Sequence, residues 1–354
     1  MRQISLALLC ITLVSSRASA IEPIVLEDYL SAGCQSGCDD RFTGCGDCQP
    51  WEQPCGREDS YWFADTRAVY LKRGELDSTP IMNNNANTAT ELRGSDFDLD
   101  FAPGVDVRLG RTLEFAPNAS RAAIRYLGVY DWNDSFSRTL PNGNNVLFVN
   151  NPFGNNASQQ WLMEYESQLQ SLEMNVYRDN CRVSWFGGLR YLRLKERMDL
   201  NFDVAAVAQV GDYVTRVDNH LLGGQIGSNI RLLERRRFQI EAGLMGGLFV
   251  NFADNSTVYT ETVSGDIFEA HDNTAKLALV TEASLDTTFE ITRRISIVAG
   301  LSFLWLEGVA ISADQIRSQS IQGVNVFFPG GGDGIDADGR AIYYGGNLGL
   351  VIKI

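Results

Sequence analysis

From Trp62 onward, apolar and polar side chains alternate in stretches of roughly ten residues, and about ten such stretches follow one another. The pattern predicts strands at 62–71, 97–109, 122–130, 168–176, 183–194, 221–232, 238–252, 277–291, 295–306 and 341–354. In the second, Phe97, Leu99, Phe101, Val105, Val107 and Leu109 share one face, while Asp98, Asp100, Asp106 and Arg108 share the other. The same division sets Leu244, Leu248 and Val250 against Glu241 and Asn251, and Leu277, Leu285 and Phe289 against Glu282, Asp286 and Glu290. Successive side chains of a strand point to opposite faces, so each stretch builds one apolar wall and one polar wall. Helical spacing, with apolar residues at i, i+3, i+4 and i+7, fits none of them.

The connections alternate as well. Tight links fall at Arg178-Asp179-Asn180-Cys181, Glu234-Arg235-Arg236-Arg237 and Thr292-Arg293-Arg294, with a longer one at 111–121. Between them lie Gly- and Asn-rich segments at 74–96, 133–161, 195–220, 253–276 and 307–340. Short and long links in strict turn put every long one at the same end. The fold class that follows is all-β: a closed up-and-down antiparallel transmembrane β-barrel of about ten strands, with short periplasmic turns and long outer loops. An even strand count places both termini in the periplasm. Aromatic side chains should mark the two interfaces, Trp62 and Trp185 on the periplasmic side, Trp132, Trp305, Tyr343 and Tyr344 on the outer side.

Targeting agrees with this location. A basic start, the apolar run from Ile4 to Val14 and Ala18-Ser19-Ala20 read as a signal peptide over 1–20. That run is too short for a membrane helix, which leaves a barrel as the way to span a bilayer. Residues 21–60 form a cysteine-rich periplasmic segment, and 61–354 the barrel. The 354 residues carry a net charge of -14, which argues against nucleic acid as a partner. The expected partners are outer-membrane lipid and the barrel-assembly machinery.

Several stretches share a strand and glycine texture: Tyr61-Trp62-Phe63 with Arg67-Ala68 and Tyr70-Leu71, the acidic stretch from Phe97 to Arg108, and Tyr126-Leu-Gly-Val-Tyr-Asp-Trp132. Gly187-Gly-Leu-Arg-Tyr-Leu192, Leu222-Gly-Gly-Gln-Ile-Gly-Ser228 and Tyr343-Tyr-Gly-Gly346 belong with them. Together they resemble beta-barrel porin family seven, outer-membrane barrels of planctomycetes. The resemblance implies a fold and an outer-membrane location and brings no activity or ligand. The chain departs from the usual outer-membrane ending by closing on Ile354 instead of an aromatic residue.

Candidate chemistry is sparse. Cys34, Cys38, Cys45, Cys48, Cys55 and Cys181 share one oxidising compartment in this topology and are disulfide candidates. A zinc site built on Cys45 and Cys48 is the rival, and no metal is expected. Asp218 and His220 sit at an outer strand end in the manner of an Asp/His pair, but two such residues at a loop-to-strand junction are common by chance, so no enzyme is expected. No cofactor is expected; calcium in the Asp336–Asp338 loop is the one candidate, since Asp-x-Asp-Gly lacks the later bidentate Glu. The lumen-lining set is Asp98, Asp100, Asp106, Arg108, Arg125, Arg190, Arg231, Glu241, Glu282, Asp286 and Glu290, with Glu173 beside them. Barrels of about eight strands are filled by their own side chains, whereas open channels need ~16. The expected function is therefore a structural or narrow-pore, porin-like barrel, with binding or adhesion through the outer loops as the alternative.

Overall fold

The computed structural model describes residues 61–78, 80–84, 90–113, 121–140, 144–146, 159–180, 182–204, 209–261, 267–315 and 335–354. In chain order its strands are β1 (Trp62–Arg73), β2 (Pro80–Asn84), β3 (Thr90–Arg93), β4 (Phe101–Thr112), β5 (Arg121–Leu140), β6 (Asn144–Val146) and β7 (Gln159–Asp179). They continue with β8 (Val183–Val204), β9 (Gln209–Arg235), β10 (Phe238–Glu261), β11 (Ile267–Glu290), β12 (Ile295–Val309) and β13 (Gly339–Lys353). Ten of them close a barrel in the ring order β1-β13-β12-β11-β10-β9-β8-β7-β5-β4, every neighbouring pair antiparallel. β2, β3 and β6 make a separate three-stranded sheet. The all-β up-and-down barrel read from the alternation is the fold observed.

Each barrel strand turns large apolar side chains outward. Ile226, Leu277, Leu248 and Leu301 are 74%, 70%, 62% and 62% exposed, and every other strand contributes similar residues. Leaving one such side chain in water forgoes ~1.5–3 kcal/mol, so a continuous apolar ring of this kind is the lipid-facing wall of a membrane barrel.

The strands are much longer than the alternation suggested, and the reason is physical. On β7 the outward residues run Val176, Met174, Leu172, then Gln170, Gln168, Glu166 and Glu164. The inward residues run Asn175, Glu173, Ser171, then Leu169, Tyr165, Met163 and Trp161, all buried. Beyond the lipid belt the outer wall meets water and the inside becomes a dry core, so the apolar phase moves from one face to the other without a break in the strand. Of the segments expected as loops, 133–140, 159–161, 195–204, 209–220, 253–261 and 267–276 are these polar-outside extensions of β5, β7, β8, β9, β10 and β11.

Two further expectations are corrected. β4 begins at Phe101 instead of residue 97. The four residues before it lie off the strand, where Phe97 and Leu99 turn inward, 1% and 2% exposed. Phe97 packs against Phe136 and Tyr165 at centroid distances of 4.9 and 5.3 Å. Asp98 and Asp100 are consequently thrown outward and do not line the lumen; Asp98 pairs with Lys72 at 2.9 Å. Trp132 and Tyr343, expected at the outer interface, are buried inside. A register shift between Val129 and Trp132 reverses the parity of β5, and Trp132 Nε1 donates to the Leu71 carbonyl at 2.8 Å. Trp62 and Trp185 remain on the outer wall.

Candidate functional site: the filled lumen

The interior is built in layers, and the ring order shows which contacts cross it. β5 and β11 stand five places apart in a ring of ten strands, so a bond between their inward side chains spans the diameter. Arg125 of β5 makes that bond, donating from Nη1 to Glu282 Oε1 at 2.6 Å. The same guanidinium donates to both carboxylate oxygens of Asp106 at 2.9–3.1 Å and to Glu173 at 3.2 Å. Arg190, on β8, donates to the other Glu282 oxygen at 2.9 Å and to the Ser171 hydroxyl at 2.8 Å. Arg67 joins its strand neighbour Asp65 at 2.7 Å to Asp286, three places round the ring on β11, at 2.9 Å. Asn175 and Gln225 each donate to Glu173 Oε2 at 3.0 Å, so the acid keeps several partners. Buried charges persist only when paired and hydrogen-bonded in this manner.

Toward the short-turn end the network is backed by a cavity of about 50 Å3, lined by Arg108, Asn175, Tyr177, Asn229, Met245 and Ser284 among others. That is room for a few waters. Beyond it Phe63, Ala123 and Tyr177 form an apolar cluster, with Tyr61 and Phe186 packed against it.

Toward the long-hairpin end the lumen is apolar. Trp132, Tyr165, Tyr343, Met163, Phe249 and Leu306 belong to one buried core. Trp132 packs against Tyr343 with centroids 4.9 Å apart and the rings tilted by 41°. Inside this core lies one ion pair, Arg73 with Glu196, both essentially inaccessible to solvent. Glu196 also accepts from the Tyr165 hydroxyl at 2.6 Å and from the Ser312 backbone N–H at 3.1 Å.

Ser312 belongs to a strap that leaves β12 and turns into the barrel mouth. At Gly308 the backbone takes φ +80°, where a Cβ would lie 2.6 Å from the Leu277 carbonyl oxygen, so glycine is required at the turn. Residues 310–315 then fold inward, ending in the short 3-10 helix η1 (Ser312–Gln315), and residues 335–338 lie beside them. Asn219 holds the strap by both ends of its amide, donating to the Ala310 carbonyl at 2.8 Å and accepting from its N–H at 2.7 Å. Asn251 donates to Asn219 at 2.8 Å and to the Gly308 carbonyl at 3.0 Å. Gln315 ties the two halves together through the Asp336 carbonyl and N–H, at 2.7 and 3.1 Å.

The remaining sequence-derived residues fall elsewhere. Arg108 faces the cavity. Arg231 reaches Glu234 at 3.7 Å near a turn, and Glu241 accepts from Gln239 at 3.2 Å, both half-buried. Glu290 is exposed at the last position of β11; its parity points inward, but the strand ends there and the residue lies at the rim instead of the lumen. Asp338 spends its carboxylate on Lys276 at 3.0 Å, and Asp336 accepts the Asp338 N–H at 3.1 Å, an arrangement that competes with a cation. Among the described residues no cluster of three or more His, Cys, Asp or Glu is placed to hold a metal. Asp218 and His220 lie on the outer wall, facing away from the lumen. Arg193 occupies both Asp218 oxygens, and the Tyr191 hydroxyl meets His220 Nδ1 at 2.7 Å. The six cysteines, the signal peptide and residues 21–60 lie outside the described residues.

Sequence reading missed Asp65, Arg67, Arg73, Glu196 and Asn219; it put Asn251 on the polar face without assigning it a role. On β1 the outward neighbours of Asp65 and Arg67 are Ala64, Thr66 and Ala68, too small and mixed to set a phase. Glu196 and Asn219 lie in the polar-outside extensions. An inverted alternation, apolar at 192, 194 and 198 and charged at 193, 195 and 197, is the available signal, and it puts Glu196 on the apolar, inward face.

The model of a family described as "Putative beta barrel porin-7" matches residues 135–323, more than half of the chain. No curated protein matches. Among solved structures, the outer membrane protease OmpT of Escherichia coli superposes with a TM-score of 0.41 at 8% identity, covering 83% of this chain and 97% of that one. The translocator domain of the autotransporter NalP of Neisseria meningitidis gives 0.31 at 10%, covering 83% and 87%. The toluene transporter TodX of Pseudomonas putida gives 0.27 at 8%, covering 84% and 90%.

Proposed function

The chain belongs to the beta barrel porin-7 family of porin-like outer-membrane barrels, and from that premise we propose that it serves as a closed, structural barrel and not as an open channel. The observation that carries the reading is the Arg125–Glu282 bond across the diameter, backed on one side by a dry aromatic core and the strap. An ion would have to displace paired charges and then cross an apolar layer. The short turns and both termini face the periplasm, and the long hairpins face outward, as is usual for such barrels. No catalytic role is assigned: Asp218 and His220 face away from the lumen, with the carboxylate committed to Arg193.

A second reading, binding or adhesion at the outer surface, is favoured by strand length. β9 has 27 residues. At ~3.3 Å per residue and a tilt of ~40° it rises roughly 70 Å, against an apolar band of ~25 Å. Much of that strand stands clear of the membrane with a polar outer wall, a stiff platform for contact.

Planar-bilayer recording on folded, purified protein tests the leading reading. Silent membranes, with insertion verified by heat-modifiable gel mobility, are expected. A steady single-channel current from the unaltered protein overturns it.

A further inference from the structure

In a chain of net charge -14, one end of the barrel is strongly basic. The β9–β10 connection consists of Arg236 and Arg237, with Arg235 closing β9. The β11–β12 connection ends in Arg293 and Arg294. All five are exposed, and none forms an ion pair among the described residues. The other strand ends on this side carry Arg111, Arg121, Arg178 and Lys353. Against them stand, among the described residues, Asp179, Glu234 and Glu290, of which Asp179 is engaged by Arg121 at 3.2 Å and Glu234 by Arg231.

The depth of these cations is set by their neighbours. The turns are so short that the lipid-facing wall reaches them: Leu232, Phe289, Ile291 and Ile295 are exposed apolar residues within a few positions of the arginines. Trp62 and Trp185 mark the same level on the outer wall, and the Arg111 guanidinium lies 5.5 Å from the centre of the Trp62 ring. Tryptophans seat at the headgroup region, so the arginines lie where lipid phosphates are, not out in the aqueous phase. Guanidinium groups match phosphate oxygens with paired N–H donors and keep their charge when partly dehydrated.

We propose that this arginine collar is a binding surface for anionic phospholipid headgroups, which gather around the short-turn end of the barrel. The inference uses the membrane-spanning fold and holds whichever leaflet that end meets, so it stands apart from the closed-lumen reading. A cation near an anionic bilayer surface gains about fivefold in lipid partitioning at moderate salt. Five unpaired ones therefore give a strong preference even with incomplete additivity.

The test is native mass spectrometry of the barrel released from vesicles of phosphatidylcholine mixed with phosphatidylglycerol, counting each lipid retained. The unaltered protein should retain phosphatidylglycerol preferentially, and the preference should fall as ionic strength rises. Replacing Arg235, Arg236, Arg237, Arg293 and Arg294 by Gln should lower it at least tenfold. Lys72→Gln with Arg340→Gln, at the other end and already paired with Asp98 and Asp77, should leave it unchanged. Heat-modifiable mobility shows whether the five-fold variant still folds. Should it not, the salt dependence of the unaltered protein decides. No phosphatidylglycerol preference, or one that ignores both salt and the arginines, refutes the proposal. So does arginine-dependent capture of soluble polyphosphate by barrels in pure phosphatidylcholine without any phosphatidylglycerol preference, which would assign the collar to a polyanion.

Discussion

Replacing Arg125 by Met separates buried from exposed charge pairing within one barrel. Arg125 and its partners Asp106, Glu173 and Glu282 have side chains only 13%, 9%, 4% and 13% exposed. Without the guanidinium, Glu173 and Glu282 retain Arg190 at 3.6 and 2.9 Å, but Asp106 loses its ion-pair partner among the described residues. Stranding one buried carboxylate costs ~3–5 kcal/mol. Arg193→Met removes a similarly well-matched pair, with Asp218, from the outer wall, where the Arg193 side chain is 35% exposed. There the loss should be at most ~1 kcal/mol. Urea unfolding of the refolded barrel, followed by tryptophan fluorescence, reads both. Adding Asp106→Asn to Arg125→Met removes the stranded charge and should recover ~1–3 kcal/mol. Should Arg125→Met prove no more destabilising than Arg193→Met, the network would be solvated and the account of a dry, structural lumen would be wrong.

Two further perturbations probe wall and mouth. A Cβ at Gly345 would lie 2.0 Å from the Tyr70 carbonyl oxygen, and Gly246 has nothing within 4 Å on the lipid side. Gly345→Ala should block formation of the heat-modifiable species, whereas Gly246→Leu should fold normally in lipid. Asn219→Ala cuts the bidentate tie to Ala310; loss of amide-exchange protection in the strap, with the β8 and β9 amides still protected, is the expected result.

The lipid-spanning half of the barrel was legible because there the outer wall is apolar and the lumen charged, so Phe238 to Phe252 and Leu277 to Phe289 carry their register in plain alternation. The upper half was read as loops because the solvent relation reverses. Glu166, Lys195 and Arg216 face water while Tyr165, Leu194 and Thr215 face the core, and a search for apolar-outside strands stops at that boundary. Parity errors arose where the backbone itself steps, before Phe101 and at the shift beside Trp132. The pairing inside the lumen was not legible. Which Arg meets which carboxylate depends on ring position, and Arg125 and Glu282 are 157 residues apart. The strap was hidden for a different reason: its residues look like ordinary loop chemistry, and only Gly308 and the receiving Asn219 and Asn251 turn it inward.

The bonds that β1 sends through the lumen also bear on the order of assembly. β1 pairs with β13, so the ring is sealed by strands from opposite ends of the barrel sequence. Arg67 reaches Asp286 over 219 residues, and Arg73 reaches Glu196 over 123. While the sheet is open Arg67 has only Asp65 of its own strand and Arg73 lacks Glu196, so a nascent edge presenting them to lipid is penalised. A one-residue slip at the seam would turn Asp65 and Arg67 outward into the apolar belt. Closure therefore completes the neutralisation of the interior: the native β1–β13 register keeps Asp65 and Arg67 on the lumen side with Asp286, and a slipped one leaves both charges on the apolar wall.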